Sequence, residues 1–302
     1  MIKSGDMPKS AARLLRALIA EHKRWIGGRE IILQQDLGSL DESLSNDVSL
    51  QSLRGSTTVV SRIGHYYART GTTKIVEGDQ SGWDSIRLSI AYYFWSIKIE
   101  AHAAFNTSFL WPQERPFGFE VNLPTIACLS CYFMATDRTP ELQFLIDLLV
   151  KVIERPELID REFWEERHFE PFVLELFRKQ TGVTLPAIDQ SKLGPYAAVL
   201  ENWDDAVQLE PALFNICDYH CQNMEDDGGD WDPEFDLSPF DLIPVEVLAI
   251  LNVRKKMGHT NPQISHPLMQ TPLASMPLMD EQLPSDRVLE MTERAVNSVF
   301  TR

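Results

Sequence analysis

The sequence predicts an all-α fold, an array of roughly a dozen helices packed as antiparallel hairpins. Apolar residues recur at three- and four-residue spacing along most of the 302-residue chain, the pattern of helices that each bury one stripe. No stretch alternates apolar and polar residues as a half-buried strand must. Glycine and proline fall between the periodic stretches and cut them into helix-sized pieces.

The elements follow in order. Ala11, Leu14, Leu15, Leu18, Ile19, Trp25 and Ile26 share one face of a first helix, which Gly27-Gly28 stops. Arg29 to Ser39 and Asp41 to Arg54 read as two shorter, more polar helices, and Val59 to Ala68 as a third that ends before Gly71. After a turn at Gly78 to Gly82, the strongest core helix runs from Trp83 to Phe105, with Ile86, Ile90, Tyr93, Phe94 and Ile97 on its apolar face. Asn106 to Glu120 is an aromatic-rich loop with Pro112 and Pro116. Leu123 to Met134 is helical, with Pro124 in its first turn. Thr139-Pro140-Glu141 opens the next helix with a capping hydroxyl, a proline and an acid, and carries it to Glu154. Asp160 caps another that reaches Thr181-Gly182, broken at Pro171. Two paired helices, Pro195 to Trp203 and Asp205 to Met224, precede an acidic loop. Ser238-Pro239-Phe240-Asp241 has the spacing of a capping box for a helix that continues to Gly258. His259 to Pro284, with five prolines, is irregular, and Ser285 to Phe300 is a last amphipathic helix.

Gly182 to Gly194 is the candidate linker. It separates an N-terminal helical region, 1–182, from a C-terminal one, 183–302, or joins both into one continuous domain. Hydrophobic residues make up 44% of the chain and aromatics 10%, enough for a sizeable core. Arg13 and Arg16 interrupt the apolar run that a signal peptide needs, and Lys98, Glu100 and His102 interrupt 90–105 as a membrane span. Four cysteines do not make a disulfide framework in a chain of this size. The expectation is a reduced, cytoplasmic protein.

Charge is unevenly placed. Between Lys192 and Arg254 there is no Lys or Arg, yet there are fourteen Asp and Glu, close to the whole net charge of −16. The densest part holds Glu225, Asp226, Asp227, Asp230, Trp231, Asp232, Glu234, Phe235 and Asp236. Such a run repels itself, and the aromatics within it point to a binding surface for a basic partner. Nucleic acid and anionic membranes need a basic face and are not expected as partners. The N-terminal 29 residues are the exception: Lys3, Lys9, Arg13, Arg16, Lys23, Arg24 and Arg29 face only Asp6 and Glu21. These unlike ends can orient a partner or a second copy in a homodimer.

Chemical signatures are weak. Cys128-x-x-Cys131 and Cys217-x-x-x-Cys221 have the residue types of a four-thiolate zinc site, but both pairs lie in apolar helical patterns, where cysteine packs as a small hydrophobe. The acidic loop fits no EF-hand register: counted from Asp226 the third position is Gly228, and from Asp230 the sixth is Phe235. Gly71-Thr72-Thr73-Lys74 lacks the upstream glycine spacing of a phosphate loop. Neither a Gly-x-Ser-x-Gly elbow nor a His-Glu-x-x-His helix occurs. No cofactor, metal or catalytic residue is expected, and the chain reads as a binding protein rather than an enzyme.

Pro195-Tyr196, Trp203-Asp204, Tyr219-His220, the acidic loop, and Pro244-Val245-Glu246-Val247-Leu248-Ala249-Ile250-Leu251 running on to Lys256-Met257-Gly258 together resemble the helical immunity proteins of bacterial toxin systems. The Immunity protein 49 family is the nearer likeness; the immunity proteins of PoNe-type DNase toxins are a looser one. The likeness covers Leu193 to Leu273, and the N-terminal half is similar only in being helical. It implies a cytoplasmic protein that binds and blocks a cognate antibacterial toxin, delivered by contact-dependent or type VI secretion, and it brings no catalytic residues. Clustered carboxylates suit that role, because a nuclease toxin must keep a basic active-site face. Two other readings stay open: a metal-dependent enzyme of unfamiliar type using the acidic loop, His220 or the cysteines, and an acidic helical scaffold.

Overall fold

A computed structural model describes residues 11–45, 48–105, 119–154, 164, 167–224, 233–277 and 282–300. Among them are eleven α-helices and no strand, the all-α fold that the periodicity predicts. The helices are α1 (Ala11–Ile26), α2 (Glu30–Leu44), α3 (Leu50–Val76), α4 (Gly82–Phe105), α5 (Leu123–Ala135), α6 (Thr139–Glu154), α7 (Phe169–Thr181), α8 (Ala197–Glu201), α9 (Ala206–Gln222), α10 (Val245–Lys256) and α11 (Arg287–Phe300). Short 3-10 turns at Phe119–Asn122, Gln190–Tyr196, Pro267–Gln270 and Pro272–Ala274 supply the remaining helical backbone.

The first differences from the sequence reading fall in α2 and α3. The chain breaks after Leu44 rather than after Ser39, because Leu40 and Leu44 continue the buried stripe of Leu33. Helix α3 then opens on Ser49, whose Oγ accepts the Ser52 N–H at 3.1 Å while Ser52 Oγ accepts the Ser49 N–H at 3.0 Å. This is a reciprocal capping box with serine in the place usually held by Glu or Gln, so its sequence signal is faint. Nor does α3 stop before Gly71. It runs on for 27 residues to Val76 and ends at Gly78, whose φ of +93° suits only glycine.

Gly71 serves packing. A Cβ there would lie 2.6 Å from the Gly82 carbonyl oxygen, and one on Gly82 would lie 2.4 Å from the Gly71 carbonyl oxygen. The absence of both side chains lets α3 and α4 touch backbone to backbone. Further along, Gly64 meets Tyr92 and Tyr93, and the Thr57 hydroxyl donates to Glu100 Oε1 at 2.6 Å. Rising numbers on α3 thus meet falling numbers on α4, and this pair is antiparallel.

The larger core draws on α1 and α3 to α10 together with the 3-10 turns, from Leu15 to Leu273. Tyr196 illustrates its density: fully buried, it stacks on Phe172 at 4.2 Å between ring centroids. This core runs across the candidate linker, since Tyr196 after it stacks on Phe169 and Phe172 before it, and Leu193 within it belongs to the same buried cluster. A second cluster sets α11 against α2, α3 and α4. There the Tyr92 hydroxyl donates to Asp286 Oδ2 at 2.8 Å, and Asp286 Oδ1 accepts the Leu289 N–H at 2.9 Å to cap α11. The last helix of the sequence therefore rests on the first third of the chain.

Two proline positions also differ. Pro171 lies in the first turn of α7, where a missing N–H forfeits no helical bond; the stretch before it, Asp160 included, lies outside the described residues. Ser238-Pro239-Phe240-Asp241 does not cap a helix. The Ser238–Pro239 peptide is cis, residues 237–243 form turns, and α10 begins only after Pro244. No helix of the described residues is long and apolar enough to cross a membrane.

Candidate interaction site and the buried polar clusters

Helix α9 carries the chain to the acidic segment. Its C-cap residue, Asn223, donates from Nδ2 to the Tyr219 carbonyl at 2.8 Å, and its own carbonyl accepts the Phe235 N–H at 2.9 Å. Residues 223 and 235, on either side of residues 225–232, thus meet at one hydrogen-bonded clasp. Of the predicted site residues, Glu225, Asp226, Asp227, Asp230, Trp231 and Asp232 lie outside the described residues.

The expectation of an exposed surface fails at the next two. Glu234 and Phe235 are 1% and 0% exposed, whereas Asp236 faces solvent. Phe235 lies flat on the His220 ring, 4.1 Å between centroids and 20° between planes, and 4.8 Å from Phe169. Apolar burial beats the polarity of its neighbours in sequence, because α7 and α9 leave an aromatic slot there. Glu234 follows it inward. Its Oε1 accepts the N–H groups of His168 and Phe169 at the start of α7, each at 3.3 Å. Arg167 lies 3.9 Å from that oxygen and is itself held by Glu170, Nη2 to Oε1 at 2.8 Å. The free N–H groups of a helix start favour an acidic side chain there.

Among the described acids of the basic-free window, Glu234, Asp241 and Glu246 therefore point inward. Glu246 Oε1 lies 2.9 Å from His220 Nδ1, and both side chains are fully buried. Asp241 Oδ2 lies 2.7 Å from His22 Nε2, and His22 Nδ1 lies 2.9 Å from Thr72 Oγ1. A hydroxyl, an imidazole and a carboxylate in line have the residue types of a nucleophilic triad. Here each of the three is only 1% exposed, and the Thr72 hydroxyl donates to the Arg69 carbonyl at 3.0 Å. With its proton committed and no opening to solvent, the trio ties α1, α3 and the turn before α10 together. Nothing in the sequence pairs residues 22 and 241; only the packing does.

Among the described acids of the window, Glu201, Asp204, Asp205, Glu210 and Asp236 are exposed, and Val207 stands among them at 75% exposure. All four cysteines are buried and unbridged. Burial pushes the Cys128 and Cys131 thiols well above their usual range and the Cys221 thiol up to about 12, so they sit as neutral, unreactive groups. No cluster of three metal-ligating residues occurs among the described residues.

An open groove of about 570 Å³ lies between α3, α4 and the Phe119–Asn122 turn. Some of its polar groups are already engaged: Glu100 takes the Thr57 hydroxyl, and Arg62 Nε donates to Asp36 Oδ2 of α2 at 2.6 Å. Burial, reinforced by the nearby Arg69 charge, lowers His65 in this groove to about 4, so it is neutral at pH 7.

Comparison with protein-family models, curated proteins and solved structures finds no match.

Proposed function

We propose that the protein is an immunity protein, which binds a cognate antibacterial toxin and blocks its basic active-site face with an acidic surface. The observation that carries the reading is the clasp at Asn223 and Phe235, which ties an acidic segment without Lys or Arg to the core at both ends. Joining the two ends of a charged segment lowers the entropy cost of engaging it with a partner, which suits a binding surface. The burial of His220, Glu246 and the four cysteines favours binding over chemistry. On this reading the protein acts in the cytoplasm of the toxin-producing cell, and the toxin, a nuclease being the class that fits the charge, travels by type VI or another contact-dependent route.

Charge reversal tests it. Asp227→Lys, Asp230→Lys and Asp232→Lys together should slow association with the cognate toxin and flatten its salt dependence, because steering charges act on the on-rate. Trp231→Ala should raise the off-rate instead, at a cost of about 2 kcal/mol. Binding kinetics and protection of toxin-expressing cells are the measurements. If both variants bind and protect like the parent, the acidic segment is not the interface, and the basic strip of Arg13, Arg16, Lys23 and Arg24 on α1, exposed to solvent, is the next surface to vary.

A further inference from the structure

Two exposed helix faces carry charge of opposite sign along the same spacing. On α1, Arg13, Ala17, Ala20 and Arg24 follow one another at four-, three- and four-residue steps, so they line one stripe of the helix, and all four are exposed. On α9, Val207, Pro211, Phe214 and Asp218 repeat those steps. The first three are exposed, Val207 at 75% and Phe214 at 38%, and the Asp218 side chain is half-exposed. Asp204 before the helix and Glu210 beside the stripe, both exposed, add to its acidic border. The α1 stripe is thus cationic at its ends with two small residues between, and the α9 stripe is acidic at its ends with three apolar residues between. Arg13, Arg24 and Glu210 make no ion pair among the described residues. Pro211 also has no N–H to give the Val207 carbonyl, which leaves that oxygen without its helical donor.

We infer that α1 and α9 form a self-complementary face on which a second copy of this chain docks, α1 of each copy lying along α9 of the other. The two helices pack against each other within the chain. A twofold axis between them sets each on its opposite number, so one patch pairs with itself. Val207 and Phe214 of one copy then meet the low surface of Ala17 and Ala20 of the other, an apolar centre inside a polar rim. Arg13 and Arg24 reach the carboxylates at the ends of the α9 stripe. Single apolar side chains on a surface are ordinary; a row of them bordered by carboxylates, in a chain that carries the converse row on a neighbouring helix, favours a second copy as the occupant. The net charge of −16 repels two copies at a distance, and that repulsion is least for a dimer that sets cations against the acidic window. Each helix is roughly 25 Å long and 10 Å wide, so the pair offers roughly 500 Å² per copy, at the low end for a specific interface. The dimer should therefore form and dissociate with concentration.

Self-association is independent of what the acidic segment binds, and sedimentation equilibrium of the purified chain measures it without any toxin. The average mass should climb with concentration from 34.5 kDa toward twice that value. Two charge-reversed variants follow, Arg13→Glu with Arg24→Glu on α1, and Asp204→Lys with Glu210→Lys at α9. Each should raise the dimer dissociation constant roughly tenfold or more, because like charges then face each other. Mixed in equal amounts, the two variants should associate again as a heterodimer, since each now offers the charges that the other needs. A variant that had merely lost its fold could not be rescued in this way. All four positions are exposed, so the far-ultraviolet circular dichroism of each variant should match that of the parent. A mass that stays at 34.5 kDa up to the solubility limit of the parent would overturn the dimer. So would a mixture that does not regain association. The α1 variant alone, if it dimerises like the parent, is enough to overturn this face even if the α9 variant does not fold.

Discussion

Phe235→Ala is expected to destabilise the protein by about 3–5 kcal/mol, the range for truncating a fully buried phenylalanine. The ring is 0% exposed, lies flat against His220 and packs beside Phe169 at 4.8 Å and 47°. Removing it takes away its burial energy and leaves a space that the α7 and α9 side chains, fixed in a continuous core, fill only in part. The loss falls where the acidic segment is clasped, so the variant should also show faster hydrogen exchange at the Phe235-to-Asn223 bond. Urea unfolding measures the first effect and exchange the second. A change below about 1 kcal/mol would mean that the ring does not occupy this slot. Trp231→Ala makes the informative contrast: it is proposed to weaken toxin binding, whereas Phe235→Ala should weaken the fold that presents the site.

Gly71→Ala should cost about 3 kcal/mol, at the upper end for overpacking. The new methyl would sit 2.6 Å from the Gly82 carbonyl oxygen and 2.9 Å from the Ile86 backbone nitrogen. Both are helix backbone atoms, which cannot rotate aside as a side chain can. Helices α3 and α4 would have to part along a contact that continues past Gly64 to Thr57 and Glu100. Gly55→Ala, in the same helix, is the control. A Cβ at Gly55 meets nothing within 4 Å, so alanine there should stabilise by up to about 1 kcal/mol through its better helix propensity. Thermal or urea unfolding of the two variants should move in opposite directions; equal shifts would show that α3 and α4 do not approach so closely.

The helical class was legible because periodicity depends on neighbours three and four residues apart. Ala11–Ile26, Gly82–Phe105 and Thr139–Glu154 begin and end within a residue or so of where apolar spacing and Gly or Pro punctuation put them. The same signals misled where a residue served packing instead of local conformation. Gly71 looks like a stop and is a contact point; Ser238 and Asp241 look like a cap, yet Asp241 reaches His22 on the first helix. Arg167 and Glu170, three residues apart, could have been noted as a pair from their spacing. Their relation to Glu234 could not.

By itself the chain determined the class of fold, the placing of most helices and the concentration of charge between Lys192 and Arg254, because each is a property of residues close in sequence. The tertiary structure alone decided which acids of that window face inward. Glu234 meets the start of α7, Asp241 meets His22 and Glu246 meets His220, while Glu201, Asp204, Asp205, Glu210 and Asp236 face solvent. A buried carboxylate needs donors that cancel its lost hydration. Those donors come from helices up to 219 residues away, and only packing brings them within reach.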